Sequence, residues 1–550
     1  MSDFQKRFKR IILFLMITSC LFLLSCESIG LKMPHISKDM FKVKKQKAHQ
    51  QEQEVVIKLD EPLKIEKVYK GYSKTYKPIK DLIYNAHFKE AIQAYHGSEN
   101  KTEKSILPKI NLESNSLKVL HNMELGILHL EVGDIKKCYN HIENCLKELD
   151  KKESKGIITS KVSSGLFSAA SLISGNDELS PYHPVGYEKI MILNYKAIHY
   201  LLSGKRKAFN VAREAIDCQN IERDLFEKEL KKIDIAQKNK EAEQKMKMNQ
   251  QQTKNSSPSL ASLKKEIEKI VKKLKKRLQD EYSQTHSLAM QSKSAYVNPF
   301  ADYLTGMIME YETYNDPNKA DDAKRAYQKA YNLNPKSKLL KRALNDMKKK
   351  HKRSKNKRLL HVVVFDGFAP EKKVLKTTVP VPPDKLVTVQ LPIMGQITSD
   401  VTSLKVLSEN NNILATMDII VNMESMVLRH QKDMESQIYM TATALIMKSF
   451  AAQEVGKRFG ILGNIFVSKA VDEIANPETR SWTSIPSKIY AARLSLNNGI
   501  KKVKIASYDH NGRRLALKTL KISPKGHNFI YGRSVDKTLM AQTSQKLWVN

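Results

Sequence analysis

The hydrophobic rhythm of the chain changes four times. A basic start (Lys6, Arg7, Lys9, Arg10) runs into an uncharged, mostly apolar stretch, Ile11 to Leu24. From about 69 to 346 the apolar residues recur every three to four positions, the spacing of amphipathic helices. From 359 the period shortens to two: LLHVVVFDGF, VLKTTVPVP, LVTVQLPI and SLKVLSENNNILATMDIIV read as strands parted by Pro, Gly and Asn turns. Helical spacing returns over about 423–475, with a break near Gly456–Gly463, and strands resume to 535. Asn498-Gly499, Asn511-Gly512 and Lys525-Gly526 are turn dipeptides and predict a meander. The pattern predicts an α+β chain, with helical hairpins first and a sandwich-like β domain carrying a helical insertion second. Its expected divisions are a leader 1–25, a tether 26–68, helices 69–346, a basic linker 347–358, a β domain 359–535 and a tail 536–550.

Three stretches inside the helical part share one design. In LGILHLEVGDIKKCYNHIENCLKEL, Gly126 is followed by a turn glycine, Gly133, and by Cys138, Ile142 and Cys145 at i, i+4, i+7. In YEKIMILNYKAIHYLLSGKRKAFNVAREAI the turn is Gly204 and the stripe is Ala208, Ala212 and Ala215. In YLTGMIMEYETYNDPNKADDAKRAYQKAYNLNP, Gly306 precedes Ala323, Tyr327 and Ala330, and Pro335 ends the unit. Small residues at these spacings let two helices touch, as in tetratricopeptide hairpins. The units are unevenly spaced, so the expectation is helix pairs with insertions.

Two segments interrupt this order. The Gly/Ser-rich stretch 156–184 reads as a loop. Beyond the break KNSSPS, Leu263, Ile267, Ile270, Val271, Leu274 and Leu278 make a basic amphipathic helix. Such a helix lies on a membrane or, more commonly, packs on its neighbours with its lysines in water.

The N-terminus decides how charge is read. A basic n-region and a short apolar run make a secretory signal, since a spanning helix needs about 20 apolar residues. Leu23-Leu24-Ser25-Cys26 resembles a bacterial lipobox, which implies cleavage between Ser25 and Cys26 and acylation of Cys26. The alternatives are an uncleaved anchor and a plain cleaved signal. Lys and Arg number 94 against 58 Asp and Glu, a net charge of +36. In a cytoplasmic chain this excess suggests nucleic acid. In an exported one it suggests anionic envelope polymers or plain solvation, and nucleic acid is excluded as a partner. The densest run, KKKHKRSKNKR at 348–358, reads first as a solvated linker and second as an anion-gripping patch. Glu27 follows the cysteine, which favours the periplasmic side of an outer membrane. Cys138, Cys145 and Cys218 are too few for a disulfide framework.

Further motifs connect these parts. NDELSPYHPVGYEKIMILNYKAIHYLLSGKRKAFNVAREA contains Tyr182, Tyr187, Glu188, Ala208 and Arg213. NPFADYLTGMIMEYE contains Asn298, Pro299, Tyr303, Gly306 and Glu310. VVVFDGFAPEKK and TRSWTSIP supply Gly367, Pro370, Arg480, Trp482 and Pro486. Together they resemble a family of bacterial outer-membrane lipoproteins with tetratricopeptide-like helices. The chain departs from that pattern at Asn476-Pro477-Glu478, where an acidic start is expected. The resemblance implies an envelope location, a non-enzymatic interaction role and a link to cell-wall synthesis.

The residues offer no catalytic constellation: H-E-x-x-H, G-x-S-x-G and phosphate-binding glycine loops are missing from the sequence. His141 beside Cys138 and Cys145 is read as packing rather than as a metal site. His430 and Asp433 are read as a surface pair. Asn298-Pro299 is read as a helix start, Tyr187-Glu188 as a tie between helices, and Trp482 as an anchor of the inserted helix on the β domain. No cofactor is expected. The expected partners are the membrane through lipidated Cys26, envelope proteins on a helical scaffold, and alternatively an anionic envelope polymer such as peptidoglycan or lipopolysaccharide.

Overall fold

The computed structural model describes residues 63–96, 116–154, 181–251, 258–349, 357–381, 385–444, 446–447 and 477–549. The signal, the lipobox, nearly all of the tether, most of the 156–184 loop and the second half of the insertion lie outside these residues. The fold is mixed α+β.

Strand β1 (Ile65–Val68) opens the described chain. Helices α1 (Tyr72–Thr75), α2 (Lys77–Tyr84), α3 (Phe88–His96), α4 (Lys118–Glu131) and α5 (Ile135–Ser154) follow. Next come α6 (Gly186–Leu202), α7 (Ala208–Gln251), α8 (Pro258–Ser283), α9 (His286–Ala289), α10 (Phe300–Glu312), α11 (Lys319–Leu333) and α12 (Lys338–Lys348). The strands are β2 (Lys357–Asp366), β3 (Glu371–Val381), β4 (Lys385–Gly395), β5 (Ser403–Leu407), β6 (Ile413–Thr416) and β7 (Asp418–Asn422). After helix α13 (Met423–Asp433) come β8 (Lys488–Asn497), β9 (Lys502–Tyr508), β10 (Arg514–Lys521), β11 (Asn528–Val535) and β12 (Thr538–Thr543).

Helices α4 and α5, α6 and α7, and α10 and α11 are joined by turns and pack as pairs. Gly133 (φ 85°) and Gly204 (φ 68°) make the first two turns in a left-handed conformation that glycine adopts without strain. Gly204 has a second duty. A Cβ there would collide with the carbonyl oxygen of Lys546, because the C-terminal segment crosses at this point and Gln545 N–H donates to Leu202 O at 2.8 Å. At Gly306 a Cβ would sit 2.8 Å from the Tyr327 ring, so α10 and α11 approach as closely as they do only with glycine.

The strands form three sheets, ordered β1-β3-β4, β10-β9-β5-β6 and β12-β11-β2-β8-β7. All pairings are antiparallel except β11 with β2. The five-stranded sheet is buried on both faces. Leu359, Val363, Phe365, Phe529 and Tyr531 join the helices in one core. Leu360, Val362, Val364 and Ile530 meet Leu404, Val406, Val503 and Ile505 of the four-stranded sheet in a second. Alternation along each strand sends neighbouring residues to opposite cores.

The expected meander is corrected. Only Asn511-Gly512 joins strands that pair with each other. The Asn498-Gly499 and Lys525-Gly526 turns carry the chain from one sheet to the other, and the β11–β12 hairpin turns at Asp536 (φ 46°). Local turn chemistry specifies reversals, whereas the choice of partner strand depends on which core each apolar face enters.

Both ends of the described chain are structured. Ile65–Val68, at the end of the expected tether, pair with β3. In the expected tail, β12 completes the five-stranded sheet and Leu547 and Val549 are buried. Lys357 and Arg358, the end of the basic run, already belong to β2. The buried Arg358 guanidinium donates to the carbonyls of Ser523 and Ile500. The basic amphipathic helix, α8, packs through Ile267, Ile270, Leu274, Leu278 and Tyr282 on the β3–β4 hairpin and on Ile438 and Ala442.

Candidate functional site

Helices α4, α6 and α10 are buried on nearly every face. A helix so placed is expected to be apolar all round, yet each carries at least one buried glutamate. A buried carboxylate is tolerated only when donors replace its water. The donors come mostly from remote parts of the chain.

Glu124 of α4 accepts from the backbone N–H groups of Thr483 and Ser484, the latter at 3.1 Å. Glu188 of α6 accepts from Tyr182 Oη at 2.7 Å, from Val185 N–H at 3.0 Å and from Trp482 N–H at 3.3 Å. The Val185 bond satisfies a free N–H at the helix start. Glu310 of α10 receives Arg493 of β8 through two N–H groups, at 2.8 and 2.5 Å, and Tyr327 Oη at 2.8 Å. Burial pushes the Glu124 and Glu188 carboxyls up, and the hydrogen bonds work against that rise. At Glu310 burial acts in the same direction, but the Arg493 guanidinium prevails and holds the carboxyl well below the usual range. These three acids form a seam between the helices and the β part.

Glu131, the last residue of α4, differs from them. Its Oε1 accepts from Tyr531 Oη at 2.7 Å, while its buried Oε2 has no partner among the described residues. Burial raises the carboxyl to about 7, with Arg533 and Tyr531 opposing. Arg533 Nε and Nη1 and the Tyr195 hydroxyl are also buried without partners. Glu131 lines a cleft of about 420 Å³ together with Phe88, Leu130, Tyr531, Met540 and Gln542. A cleft of this size suits a small ligand. Its buried carboxyl exchanges a proton near neutrality, so it can either donate or accept a hydrogen bond.

A second cleft of about 270 Å³ lies between α4 and α5, lined by Lys118, His121, Asn122, His141, Lys147 and Lys151. His121 Nε2 is 3.0 Å from Tyr76 Oη and its Nδ1 is buried without a partner. His141 Nδ1 is 2.9 Å from Asn122 Oδ1, and its ring stacks on His129 at 5.4 Å. Burial lowers His121 and His141 to about 4. Among the described residues no three His, Cys, Asp or Glu side chains are grouped to hold a metal ion.

The residues singled out from the sequence fall into distinct places. Cys138, Cys145, Ala208, Ala212, Ala323, Tyr327 and Ala330 are buried at helix contacts, and a Cβ on Gly126 would meet Ile142 at 3.2 Å. Ser25 and Cys26 lie outside the described residues. Asn298 Oδ1 accepts from Phe300 N–H at 2.9 Å, where Pro299 starts α10.

Two readings change. His430 is not at the surface: it is fully buried, 2.9 Å from Tyr296 Oη, while Asp433 pairs with Arg429 at 2.8 Å. Residues one turn apart share a face only approximately, and here the aromatic cluster of Tyr187, Phe226 and Tyr296 encloses the imidazole. Trp482 fastens its segment to α6, through Glu188 and through its ring on Tyr195 at 5.7 Å.

Glu124, Glu131, Arg493 and Tyr531 belong to no motif that marks them in the sequence. The available signal was an acid inside an apolar helical run, as in NMELGILHLE and GMIMEYE. No family model, curated protein or solved structure matches the chain.

Proposed function

We propose that the chain is a membrane-anchored cell-envelope lipoprotein that serves as a protein–protein interaction scaffold. Cys26 is its lipid attachment point and the periplasmic face of an outer membrane its location. Its helix pairs are tetratricopeptide-like, its two larger sheets form a sandwich-like β part, and its work is linked to cell-wall or outer-membrane maintenance. The tether rests on the n-region, the apolar run and Leu23–Cys26.

The carboxylate seam is the observation that carries the scaffold reading. The oxygens of Glu124, Glu188 and Glu310 are engaged by donors that join distant segments. These acids thus hold one body together, and its surfaces are left to meet partners. The residues behind the family resemblance support the same reading, because Tyr182, Glu188, Trp482 and Glu310 are members of the seam.

Crosslinking in intact cells followed by affinity capture tests the scaffold. The expected result is a defined envelope protein, lost when exposed residues of α5 or α11 are replaced. Capture of no protein, with recovery of wall polymer or lipopolysaccharide instead, favours the second reading of a direct polymer binder. That reading is supported by the basic excess and requires binding that weakens steeply with salt.

A further inference from the structure

Helix α8 has two opposed faces. Its apolar stripe is covered by Leu375, Val389 and Leu391 of the β3–β4 hairpin. At 100° per residue the direction opposite that stripe falls among Lys269, Lys272, Lys273 and Lys276. All four are exposed. Among the described residues none of them has an ion-pair partner, although the exposed Asp280 ends the same face one turn beyond Lys276 and Glu266 and Glu268 lie on its flanks.

The neighbouring cations are used differently. Arg277 pairs with Glu281 at 3.2 Å and Lys275 lies over the Tyr439 ring at 6.0 Å. On α11, Lys324 and Arg325 each meet an aspartate one turn back, at 2.8 and 2.5 Å. Lys338, Lys341 and Arg342 of α12 are likewise exposed and without an ion-pair partner among the described residues, so what sets the α8 row apart is its place on the lobe that begins with β1. Like charges three and four residues apart repel along a helix, and an anionic surface laid along the row offsets that repulsion.

Chain order places this row on the lobe that receives the tether. β1 is the first described strand after the Cys26 segment. It pairs with β3, in register Ile65 with Thr377, and β3 shares its core with α8. We infer that the α8 lysine row rests on the anionic phospholipid headgroups of the membrane that holds Cys26. This inference builds on the anchor proposed above and adds a second contact with the same bilayer. A basic patch beside an acyl anchor adds electrostatic attraction to anionic lipid.

Amine-reactive labelling of the full chain, read lysine by lysine by mass spectrometry, tests it. The surfaces are vesicles of phosphatidylethanolamine with a quarter phosphatidylglycerol, and vesicles of phosphatidylcholine alone. Labelling of Lys269, Lys272, Lys273 and Lys276 is expected to fall at least five-fold on the anionic vesicles at low salt, and to recover in high salt. No such protection is expected on phosphatidylcholine. Replacing all four by glutamine is expected to weaken vesicle association roughly 1,000-fold. Equal labelling on both vesicles overturns the inference. So does protection by soluble lipopolysaccharide or wall fragments without protection by vesicles. Fatty-acid labelling of Cys26 in cells reads the anchor separately. A lipidated chain with an unprotected row fails here alone, and a protected row on an unlipidated chain fails the anchor alone.

Discussion

In the seam, Glu124 reaches Thr483 and Ser484, and Glu310 reaches Arg493, each across a large loop of sequence. In the lobe under α8, Ile267, Ile270, Leu274 and Leu278 meet Leu375, Val379, Val389 and Leu391 with apolar contacts alone. The two regions hold together by opposite means. Apolar packing is non-directional and tolerant of shape-preserving change. A buried charge demands a particular partner, and losing that partner costs more than the pair ever contributed. The seam therefore specifies which strand meets which helix, while the lobe rests mainly on a greasy stripe, with the Tyr282 hydroxyl donating to Pro392 O at 2.7 Å as its buried polar tie.

The sharpest way to break this contrast is Arg493→Met. It leaves Glu310 buried with Tyr327 and the His361 imidazole but without its guanidinium, and should cost about 3–5 kcal/mol in urea unfolding. Adding Glu310→Gln should recover much of that loss. A cost below about 1 kcal/mol for the single change would remove charge as the organiser of the seam.

Leu274→Ala should cost about 2–4 kcal/mol through the cavity it opens. Its faster hydrogen exchange should stay within α8, β3 and β4. Exchange that rises equally in β2 and β11 would show that the lobe is not separable.

Glu124→Gln is a smaller change. An amide offers one acceptor oxygen where the carboxylate offered two, so about 1–3 kcal/mol is expected. Faster exchange at the Thr483 and Ser484 amides is its signature.

The smallest effect is on pH dependence. Burial raises Glu131 from 4.5 to about 7, so the folded chain holds this proton more tightly than the unfolded one. Stability from this group is complete below about 4.5 and is lost as pH rises through about 7. His121 and His141 act in the other direction. Lowered from 6.5 to about 4, they favour folding above 6.5, and that share is lost as pH falls through about 4. Thermal unfolding at pH 5 and 8 should show Glu131→Gln losing less stability at the higher pH than the parent does. An unchanged pH profile would remove Glu131 from the account.

The same contrast explains what could be read from the sequence. The α8 stripe and the Ala323-Tyr327-Ala330 stripe are local patterns, and the helices they specify follow from periodicity. The strands β2 to β5 were equally legible from their alternation. The seam was not, because nothing near Glu124 points to Thr483. Nor was the path between sheets, since Asn498-Gly499 reads the same whether it joins paired strands or changes layers. His430 was misplaced for a related reason: its own helix is polar, and the residues that bury it come from α6, α7 and the stretch before α10.

Cys26 is the residue on which an envelope location depends most. Metabolic fatty-acid labelling with membrane fractionation, comparing the parent with Cys26→Ala, tests it directly. The parent should incorporate label and sediment with membranes. The variant should lose the label and its stable membrane fraction, keeping at most a salt-sensitive association through α8. A Cys26→Ala protein that is still labelled and firmly membrane-bound would contradict the account.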